Sequence, residues 1–223
     1  MSMIEKTIVV NTMIKSAKLK SAKLLRREFF DRDPRVVSRE LLGKLIVRHE
    51  ENKTLAGRVV EVEAYLGVGD LAAHAAAGET ERNAVLWGPP GHAYIYFIYG
   101  MHFCLNISCL PEGEAGGVLI RALEPVSGLS EMAKARKLRD LELISRSDLR
   151  KITSGPGRLC EALGITRERD NGKDMVSGKS DLQVMDDRFV AGEIAVTPRI
   201  GITKSAEMPL RYVIAGNGFV SRG

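Results

Sequence analysis

Cysteine is scarce in this sequence, with three among 223 residues, and that scarcity limits what the residue can do. Cys104, Cys109 and Cys160 are an odd number and lie in largely apolar segments, so we expect reduced thiols in the core and no disulfide framework. Neither the cysteines nor the four histidines show the paired spacing, such as C-x-x-C, that a zinc site needs. We therefore expect no metal and no other cofactor.

Long hydrophobic runs are also missing. No stretch approaches the roughly 18 uninterrupted apolar residues of a membrane span, and no short apolar signal-peptide core precedes a cleavage site of small residues. The sequence thus predicts a soluble, cytoplasmic protein that does not act at a membrane. Internal repeats are absent as well, and 223 residues are enough for a single domain with its own core.

Charge of neither sign dominates, because 33 Lys and Arg face 28 Asp and Glu, for a net charge of +5. This mild excess admits a polyanionic partner without requiring one. The excess is uneven, since six basic residues and no acidic residue lie between Thr12 and Arg27. Such a segment can contact phosphates, but a loose, solvated chain end has the same composition. We predict a basic N-terminal arm over residues 1–27 and a single domain over residues 28–223.

A βαβ rhythm is missing from the pattern of strands and helices, which favours an α+β roll over a doubly wound fold. Asp33-Pro34 predicts a helix start and Gly43 its end, because an acidic cap precedes a proline and a glycine follows the last apolar pair. Further helices are predicted over residues 128–138 and 154–163. Strands are predicted over residues 44–49, 55–66, 93–99, 101–110, 118–123, 182–185, 194–197 and 210–214. The expected architecture is a curved antiparallel sheet with flanking helices and a protruding β-hairpin.

Two carboxylates and a phenol share one face of the strand over residues 58–66. Alternation places Glu61, Glu63 and Tyr65 together, opposite the apolar residues that face the core. That polar face is either the ordinary solvent side of a half-covered sheet or part of a site. The strand leads into a glycine-rich stretch over residues 67–92 that is too long for a simple connector. A carboxylate there could activate water as a general base.

Aromatic residues are few, yet three of the five tyrosines lie within six residues of the chain. Alternation puts Tyr94 and Tyr96 on one face, while a turn at Gly100 could bring Tyr99 to the tip of a hairpin, where it could wedge between bases. The alternative is a core strand with a tyrosine-rich face. His74 lies among alanines, where a ligand could approach it closely, although an ordinary loop histidine would look the same.

A helix start is predicted at Ser154-Gly155-Pro156-Gly157-Arg158. Free backbone N–H groups, the positive end of the helix dipole and Arg158 would together suit a phosphate. A serine-capped helix that binds no ligand has the same signature.

A series of motifs follows one order along roughly residues 28–221. They are GRVVEVEAYLG at 57–67, AAH at 72–74, RN at 82–83, GPPGH at 88–92, YIYFIYGM at 94–101, CLN at 104–106, LIRALEP at 119–125, SGP at 154–156, LC at 159–160, PRIG at 198–201 and PLRY at 209–212. In this order they resemble the alkyladenine (3-methyladenine) DNA glycosylase family. The chain departs from the family pattern at Ala75-Ala76-Ala77, where a polar residue often follows the histidine, and at residues 80–83, where proline often precedes the arginine.

The resemblance implies a role for individual residues in catalysis. Glu63 falls where the family keeps the general base that activates water, and Arg121 falls where an arginine holds that water and the nearby backbone. Glu61 is the alternative base. The motif positions hold no lysine, so no strand-cleaving lyase step is expected.

The resemblance also implies how substrate would bind. Tyr65, His74 and Tyr96 would sandwich a flipped base, Asn106 would screen out guanine at the pocket wall, and Tyr99 would fill the gap left in the duplex. The predicted helix start, rather than the resemblance, suggests that Ser154, Gly155 and Arg158 contact the DNA backbone. An alkylated purine carries positive charge, so an aromatic pocket would attract it and it would leave readily.

The expected function is therefore that of a monofunctional glycosylase of base-excision repair. It would act as a monomer, associated with the nucleoid in a bacterium, on duplex DNA that contains alkylated or deaminated purines, and would leave an abasic site. Two alternatives stay open at this point. One is a catalytically silent nucleic-acid-binding module with stacking tyrosines; the other is a hydrolase of free nucleosides or sugars.

Overall fold

The computed structural model describes residues 19, 21–98, 100–138 and 146–221. Its strands are β1 (Lys23–Leu24), β2 (Leu45–Glu50), β3 (Lys53–Tyr65), β4 (Ala93–Ile98), β5 (His102–Cys109), β6 (Gly116–Ser127), β7 (Leu182–Asp186), β8 (Ile194–Thr197) and β9 (Arg211–Ile214). Its helices are α1 (Pro34–Leu41), α2 (Leu129–Ala135), α3 (Arg146–Thr153), α4 (Pro156–Ala162) and α5 (Arg167–Asp170), with 3₁₀ turns at Arg27–Phe29 and Ala84–Leu86. In this part of the chain, no helix is long and apolar enough to cross a membrane.

The strands form one curved antiparallel sheet in the order β1-β7-β2-β3-β6-β5-β4. β9 pairs with both β3 and β8. The prediction of an α+β fold built on antiparallel sheet is confirmed. Strand β3 is the centre of this arrangement, because its first half pairs with β2, its second half with β9, and nearly its whole length with β6.

Three irregularities interrupt the pairing of β3 with β6, one between Ala56 and Gly57 and two between Val59 and Val62. Val59 lies opposite Leu123, Glu61 opposite Ala122 and Val62 opposite Ile120, so Val60 and Arg121 are each an extra residue in the ladder. Such bulges bend a strand and change the direction of a side chain. Here the extra residues Val60 and Arg121 lie beside the two glutamates of β3.

Helix α1 follows the predicted capping signals. The Asp33 carboxylate accepts a hydrogen bond from the backbone N–H of Arg35 at 2.7 Å, Pro34 is the first helical residue, and Gly43 follows the helix with φ of +89°. Helices α1 to α4 pack with one face of the sheet in the main core, to which they contribute Val37, Leu41, Met132, Ile152 and Leu159. The side chains of Val60, Val62 and Ala64 join this core, as alternation along β3 predicts.

One sequence expectation needs correction. Ser154 does not cap a helix: α4 begins at Pro156, its N-cap is Gly155, and no side chain caps it. The helix α3 over residues 146–153 was not predicted at all. The last residues of the proposed arm belong to the sheet, since Lys23 and Leu24 pair with Asp186 and Met185 of β7. Residues 1–18 and 20 lie outside the described part of the chain, and so does Tyr99.

Candidate active site

A cavity of about 370 Å³ opens beside the second half of β3. Its size is typical of small-molecule sites, and its walls are mostly apolar and aromatic with a few polar groups. The walls come from the loop after β3, the β4–β5 hairpin, β6, the start of α4 and the loop after β8. Among the lining residues are Tyr65, Gly67, Ala72, His74, Leu86, Tyr96, Cys104, Asn106, Leu119, Arg121, Pro156, Ile200 and Ile202.

Glu63 lies fully buried behind this wall, held by three residues that line the cavity. Its Oε1 accepts a hydrogen bond from the backbone N–H of Ile200 at 2.8 Å and forms an ion pair with Arg121 Nη1 at 3.2 Å. Its Oε2 accepts a hydrogen bond from the Tyr65 hydroxyl at 3.0 Å. Because one donor comes from each of three separate segments, the carboxylate is fixed in orientation.

Arg121 bridges the two glutamates of β3. Its Nε donates to Glu61 Oε1 at 2.9 Å, while its Nη1 lies by Glu63. Burial alone would lower the pKa of Arg121, but Glu63 and Glu61 outweigh this and raise the pKa above its usual value. The guanidinium therefore stays charged at the cavity wall, where it can hold a polar group of a ligand or a water molecule.

Glu61 is enclosed by donors. Its Oε1 accepts from Arg121 Nε at 2.9 Å, Arg211 Nε at 2.7 Å and the Ser221 hydroxyl at 2.8 Å, and its Oε2 accepts from the Ser221 N–H at 2.6 Å. Burial by itself would raise the pKa of Glu61, but the Ser221 N–H, Arg211 and Arg121 outweigh it and lower that pKa. Both glutamates are fully buried, so an ordinary solvent-facing strand, the alternative left open by the sequence, is wrong.

Tyr65 joins the cavity wall to Glu63. Burial and the neighbouring Glu63 carboxylate raise the pKa of the Tyr65 hydroxyl far above its ordinary value of 10.0, so the group remains a proton donor to Glu63. The guanidinium carbon of Arg199 lies 4.6 Å from the centre of the Tyr65 ring. The ring is thereby held by an arginine as well as by the hydrogen bond from its own hydroxyl.

His74 and two tyrosines of β4 form the aromatic part of the site. The His74 Nδ1 lies 2.9 Å from the Tyr94 hydroxyl, and the His74 ring meets Tyr96 edge-on, with centroids 4.5 Å apart. Although His74 is an exposed residue of the cavity wall, desolvation, with the positive charge of Arg82, lowers the pKa of its imidazole below 6.5. The imidazole is therefore neutral at physiological pH.

Asn106 and Cys104 extend the same wall from β5. Asn106 is buried opposite Tyr94 in the strand pairing, and its Nδ2 donates to the Tyr94 carbonyl at 3.3 Å. Cys104 lies opposite Tyr96, and burial raises the pKa of its thiol to about 11, so the thiol is protonated. All three cysteines are free and buried, which confirms that part of the sequence prediction.

The structure brings together six of the predicted site residues at the cavity, and Tyr99 lies outside the described residues. Glu63, Arg121, Tyr65, His74, Tyr96 and Asn106 converge at the cavity. Ser154 is buried away from solvent, and its N–H and that of Gly155 already donate to the carbonyls of Arg150 and Arg121. These two amides are not the free donors expected for a phosphate; Arg158 is exposed.

Sequence reasoning missed several residues that the site uses. Ile200, Leu119 and Cys104 line the cavity, and Tyr94 holds His74. Ile200 and Cys104 lie in the motifs PRIG and CLN, so a signal was present, but their roles depend on contacts across the fold. Across the residues that the structure describes, no group of three or more His, Cys, Asp or Glu side chains could hold a metal ion.

The chain is similar to proteins of one known family. A family model described as Methylpurine-DNA glycosylase (MPG) matches residues 28–218. A protein of Koribacter versatilis (strain Ellin345), named "Putative 3-methyladenine DNA glycosylase", is 65% identical over 197 residues, which are 88% of this chain and 92% of that protein. Proteins of the same name from Alkaliphilus oremlandii (strain OhILAs) and Burkholderia cenocepacia (strain HI2424) are each 42% identical, over 89% and 93% of this chain and 98% and 95% of their own lengths.

Proposed function

The chain belongs to the methylpurine-DNA glycosylase family, and from this membership and the geometry of the cavity we propose that it excises flipped purines with water activated by Glu63. It is a DNA glycosylase of alkylated-base repair. The observation that carries the proposed mechanism is the Glu63 carboxylate, fixed by Ile200, Arg121 and Tyr65 immediately behind an aromatic cavity.

The proposed reaction is a hydrolysis in which Glu63 accepts a proton. Water attacks the sugar carbon C1′ as the bond from C1′ to the base nitrogen breaks, and the bonding electron pair leaves with the base. The water proton passes to Glu63, the hydroxyl stays on the sugar, and an abasic site remains. A carboxylate that activates water for attack at an oxocarbenium-like carbon is the arrangement of inverting glycosidases. A base that carries positive charge leaves most readily.

The aromatic walls are proposed to recognise the base. Tyr65 and Tyr96 offer ring faces to a cationic purine, an attraction of roughly 0.5 to 2 kcal/mol. The rings of His74 and Tyr96 are in direct edge contact, which leaves no space for a base between these two. A base stacked there would therefore require the loop that carries His74 to move outward. Asn106, on β5 next to these aromatic residues, would test the edge of the base.

The surface around the cavity is proposed to bind duplex DNA. Extruding a base from the stack costs a few kcal/mol, and an inserted side chain can offset part of that cost. We assign this insertion to Tyr99, which lies between β4 and β5 in the sequence, and contacts with the DNA backbone to Ser154, Gly155 and Arg158. Because the N–H groups of Ser154 and Gly155 already donate to backbone carbonyls, Arg158 is the main candidate for contact with a phosphate.

Excision from defined duplexes tests this function. Labelled oligonucleotides with hypoxanthine or ethenoadenine, and methylated DNA, are incubated with wild type, Glu63→Gln and Glu40→Gln, then heated in alkali to cleave abasic sites. We expect wild type and the control Glu40→Gln, at an exposed position, to excise the damaged base at the same rate. Glu63→Gln should lose roughly 10²- to 10⁴-fold in excision rate, because the amide cannot accept the proton. Strand cleavage without alkali would contradict a monofunctional enzyme.

The same assay separates the alternatives. Duplex binding without excision by wild type would favour a silent binding module and contradict the proposal. Release of base from free nucleosides as fast as from duplexes would favour a nucleoside hydrolase.

A further inference from the structure

Arg199 and Asp70 form a buried ion pair directly behind the cavity wall. Both side chains are fully buried, with Nη1 to Oδ2 at 2.6 Å and Nη2 to Oδ1 at 2.8 Å. Nη1 also donates to the carbonyl of Ala64 at 3.1 Å, and Nη2 to that of Ser205 at 3.4 Å. A two-pronged pair of this kind fixes the plane of the guanidinium as well as its position.

Arg199 reaches Glu63 by two routes. The next residue, Ile200, donates its N–H to Glu63 Oε1 at 2.8 Å. The Arg199 guanidinium also lies against the ring of Tyr65, whose hydroxyl donates to Glu63 Oε2 at 3.0 Å. One donor to each oxygen of the carboxylate therefore depends on where Arg199 is held.

Asp70 connects this arrangement to the loop after β3. Its Oδ2 accepts from the N–H of Leu66 at 3.2 Å and its Oδ1 from the N–H of Ala72 at 3.1 Å, in addition to the bonds from Arg199. Ala72 and Ile200 both line the cavity, each from a different loop. The ion pair thus joins two chain segments that lie 129 positions apart in sequence and close around the same cavity.

We propose that Arg199, held by Asp70, is a positioning residue of the glycosylase: it orients the Glu63 carboxylate and the Tyr65 ring without touching the base. This role rests on the proposed function, in which Glu63 activates water. Stability is a weak explanation for the pair, because well-packed apolar side chains are often at least as stabilising as a buried ion pair. Moreover, Arg199 Nε has no hydrogen-bond partner among the residues that the structure describes, which is itself costly.

A second ion pair in the chain serves as a matched control. Arg58 binds Asp187 with the same two-pronged geometry, at 2.9 and 2.8 Å, and donates to the carbonyl of Gly43 at 2.7 Å. Its guanidinium carbon lies 4.0 Å from the centre of the Phe189 ring. Its side chain is 7% exposed and that of Asp187 is 1% exposed, and neither residue lines the cavity. The two pairs therefore share burial and chemistry and differ in location.

The test compares single-turnover excision of hypoxanthine, with enzyme in excess, in wild type, Arg199→Gln, Arg199→Lys, Asp70→Asn and Arg58→Gln. Affinity for an undamaged duplex and melting temperature are measured alongside. We expect Arg199→Gln and Asp70→Asn to lower the rate about 10²-fold at unchanged duplex affinity, because displacing a reacting group by about 1 Å costs that much. Arg199→Lys keeps the positive charge but loses the two-pronged contact, so its excision rate should lie between those of these two variants and that of wild type. Arg58→Gln should lose stability but keep the wild-type rate.

Three results would overturn the role of Arg199. They are a wild-type rate in folded Arg199→Gln, a loss of rate in Arg58→Gln as large as in Arg199→Gln, and a loss confined to duplex affinity. If Arg199→Gln does not fold, the nearly isosteric Asp70→Asn decides by the same comparison, and a wild-type rate there overturns the proposal. Absence of excision by wild type would contradict the proposed function itself before any variant is compared.

Discussion

The two glutamates of β3 show how surroundings separate residues of the same type. Glu61 accepts four hydrogen bonds from Arg121, Arg211 and Ser221, and these donors lower its pKa below the usual value, which disfavours it as the acceptor of a proton from water. The Oε2 of Glu63 accepts a hydrogen bond from the hydroxyl of Tyr65, a residue that lines the cavity. We infer that Glu61 fixes Arg121 and that Glu63 performs the chemistry.

Replacing Glu61 by glutamine tests this division at the level of one residue. Glu61→Gln leaves the buried Arg121 and the partly buried Arg211 with less negative charge nearby, so we expect the free energy of unfolding to fall by about 3 kcal/mol. Excision should slow less than in Glu63→Gln, because the proton acceptor is still present. Urea unfolding and single-turnover excision measure the two effects. A variant with unchanged stability and no excision would instead identify Glu61 as the base.

Among structural elements, the junction between β3 and the long loop is under the tightest steric limit. Gly67 has φ of +78°, and a Cβ at this position would lie 1.8 Å from the carbonyl oxygen of Ala115, just before β6. The backbone therefore approaches β6 closely at the point where the loop leaves Tyr65. This contact places the loop that carries Asp70 and His74 over the cavity.

Gly67→Ala is expected to disrupt this junction, with Gly69→Ala as its control. Gly69 also has a positive φ, of +91°, but a Cβ there would meet nothing within 4 Å. Both variants carry the cost of a left-handed residue, about 1–2 kcal/mol. Gly67→Ala should lose roughly a further 1–3 kcal/mol from overpacking and should slow excision. Equal free energies of unfolding for the two variants, measured in urea, would contradict this account.

Elements with strong local signals could be predicted, and elements set by tertiary contacts could not. The cap, proline and glycine around α1 act within the helix itself, and the alternation along β3 follows from strand geometry, so both were predicted correctly. Helix α3 spans eight residues, which is too short for a clear period. The bulges at Val60 and Arg121 depend on how β3 and β6 curve together, and no residue in either strand signals them.

The same limit applies to the site. Alternation grouped Glu61, Glu63 and Tyr65 on one face, but could not show that this face is buried. The covering groups, Ile200 and Ser221, come from chain segments 137 and 160 positions away from the glutamates they contact. The resemblance assigned roles to individual residues of the sequence. The hydrogen bonds through which those residues would act could be identified only from the fold.

At the scale of the whole molecule, buried charge is balanced. The buried cations of the described residues are four arginines, and the buried anions are two glutamates and two aspartates, so their sum is zero. They are Arg48, Arg58, Arg121 and Arg199, and Glu61, Glu63, Asp70 and Asp170. The net charge of +5 therefore arises from the rest of the chain. The excess of positive charge therefore lies outside the core, where it can contact a polyanion such as DNA.

Paired carboxylates also determine how stability should depend on pH. Burial raises the pKa of each of five carboxylates, but ion pairs or hydrogen bonds outweigh it and lower the pKa values of Asp33, Glu61, Asp70, Asp181 and Asp187 in the folded protein. A group with a lowered folded pKa adds stability that is fully present above its unfolded pKa, 3.8 for Asp and 4.5 for Glu, and is lost as pH falls through the folded pKa. The protein should therefore lose stability as pH falls below about 4.5.

Melting temperatures at intervals from about pH 7 to about pH 3 would measure this loss, and Asp187→Asn would assign part of it. The Asp187 carboxylate is almost fully buried against Arg58, and this arginine outweighs burial to lower the pKa of Asp187. Asp187→Asn should be less stable than wild type near neutral pH, and the two curves should converge as pH falls, because the wild-type carboxylate becomes neutral as well. Asp31→Asn, at an exposed position, should keep the wild-type curve. Parallel curves for Asp187→Asn and wild type down to the lowest pH would show that the Asp187 charge does not contribute to the acid loss.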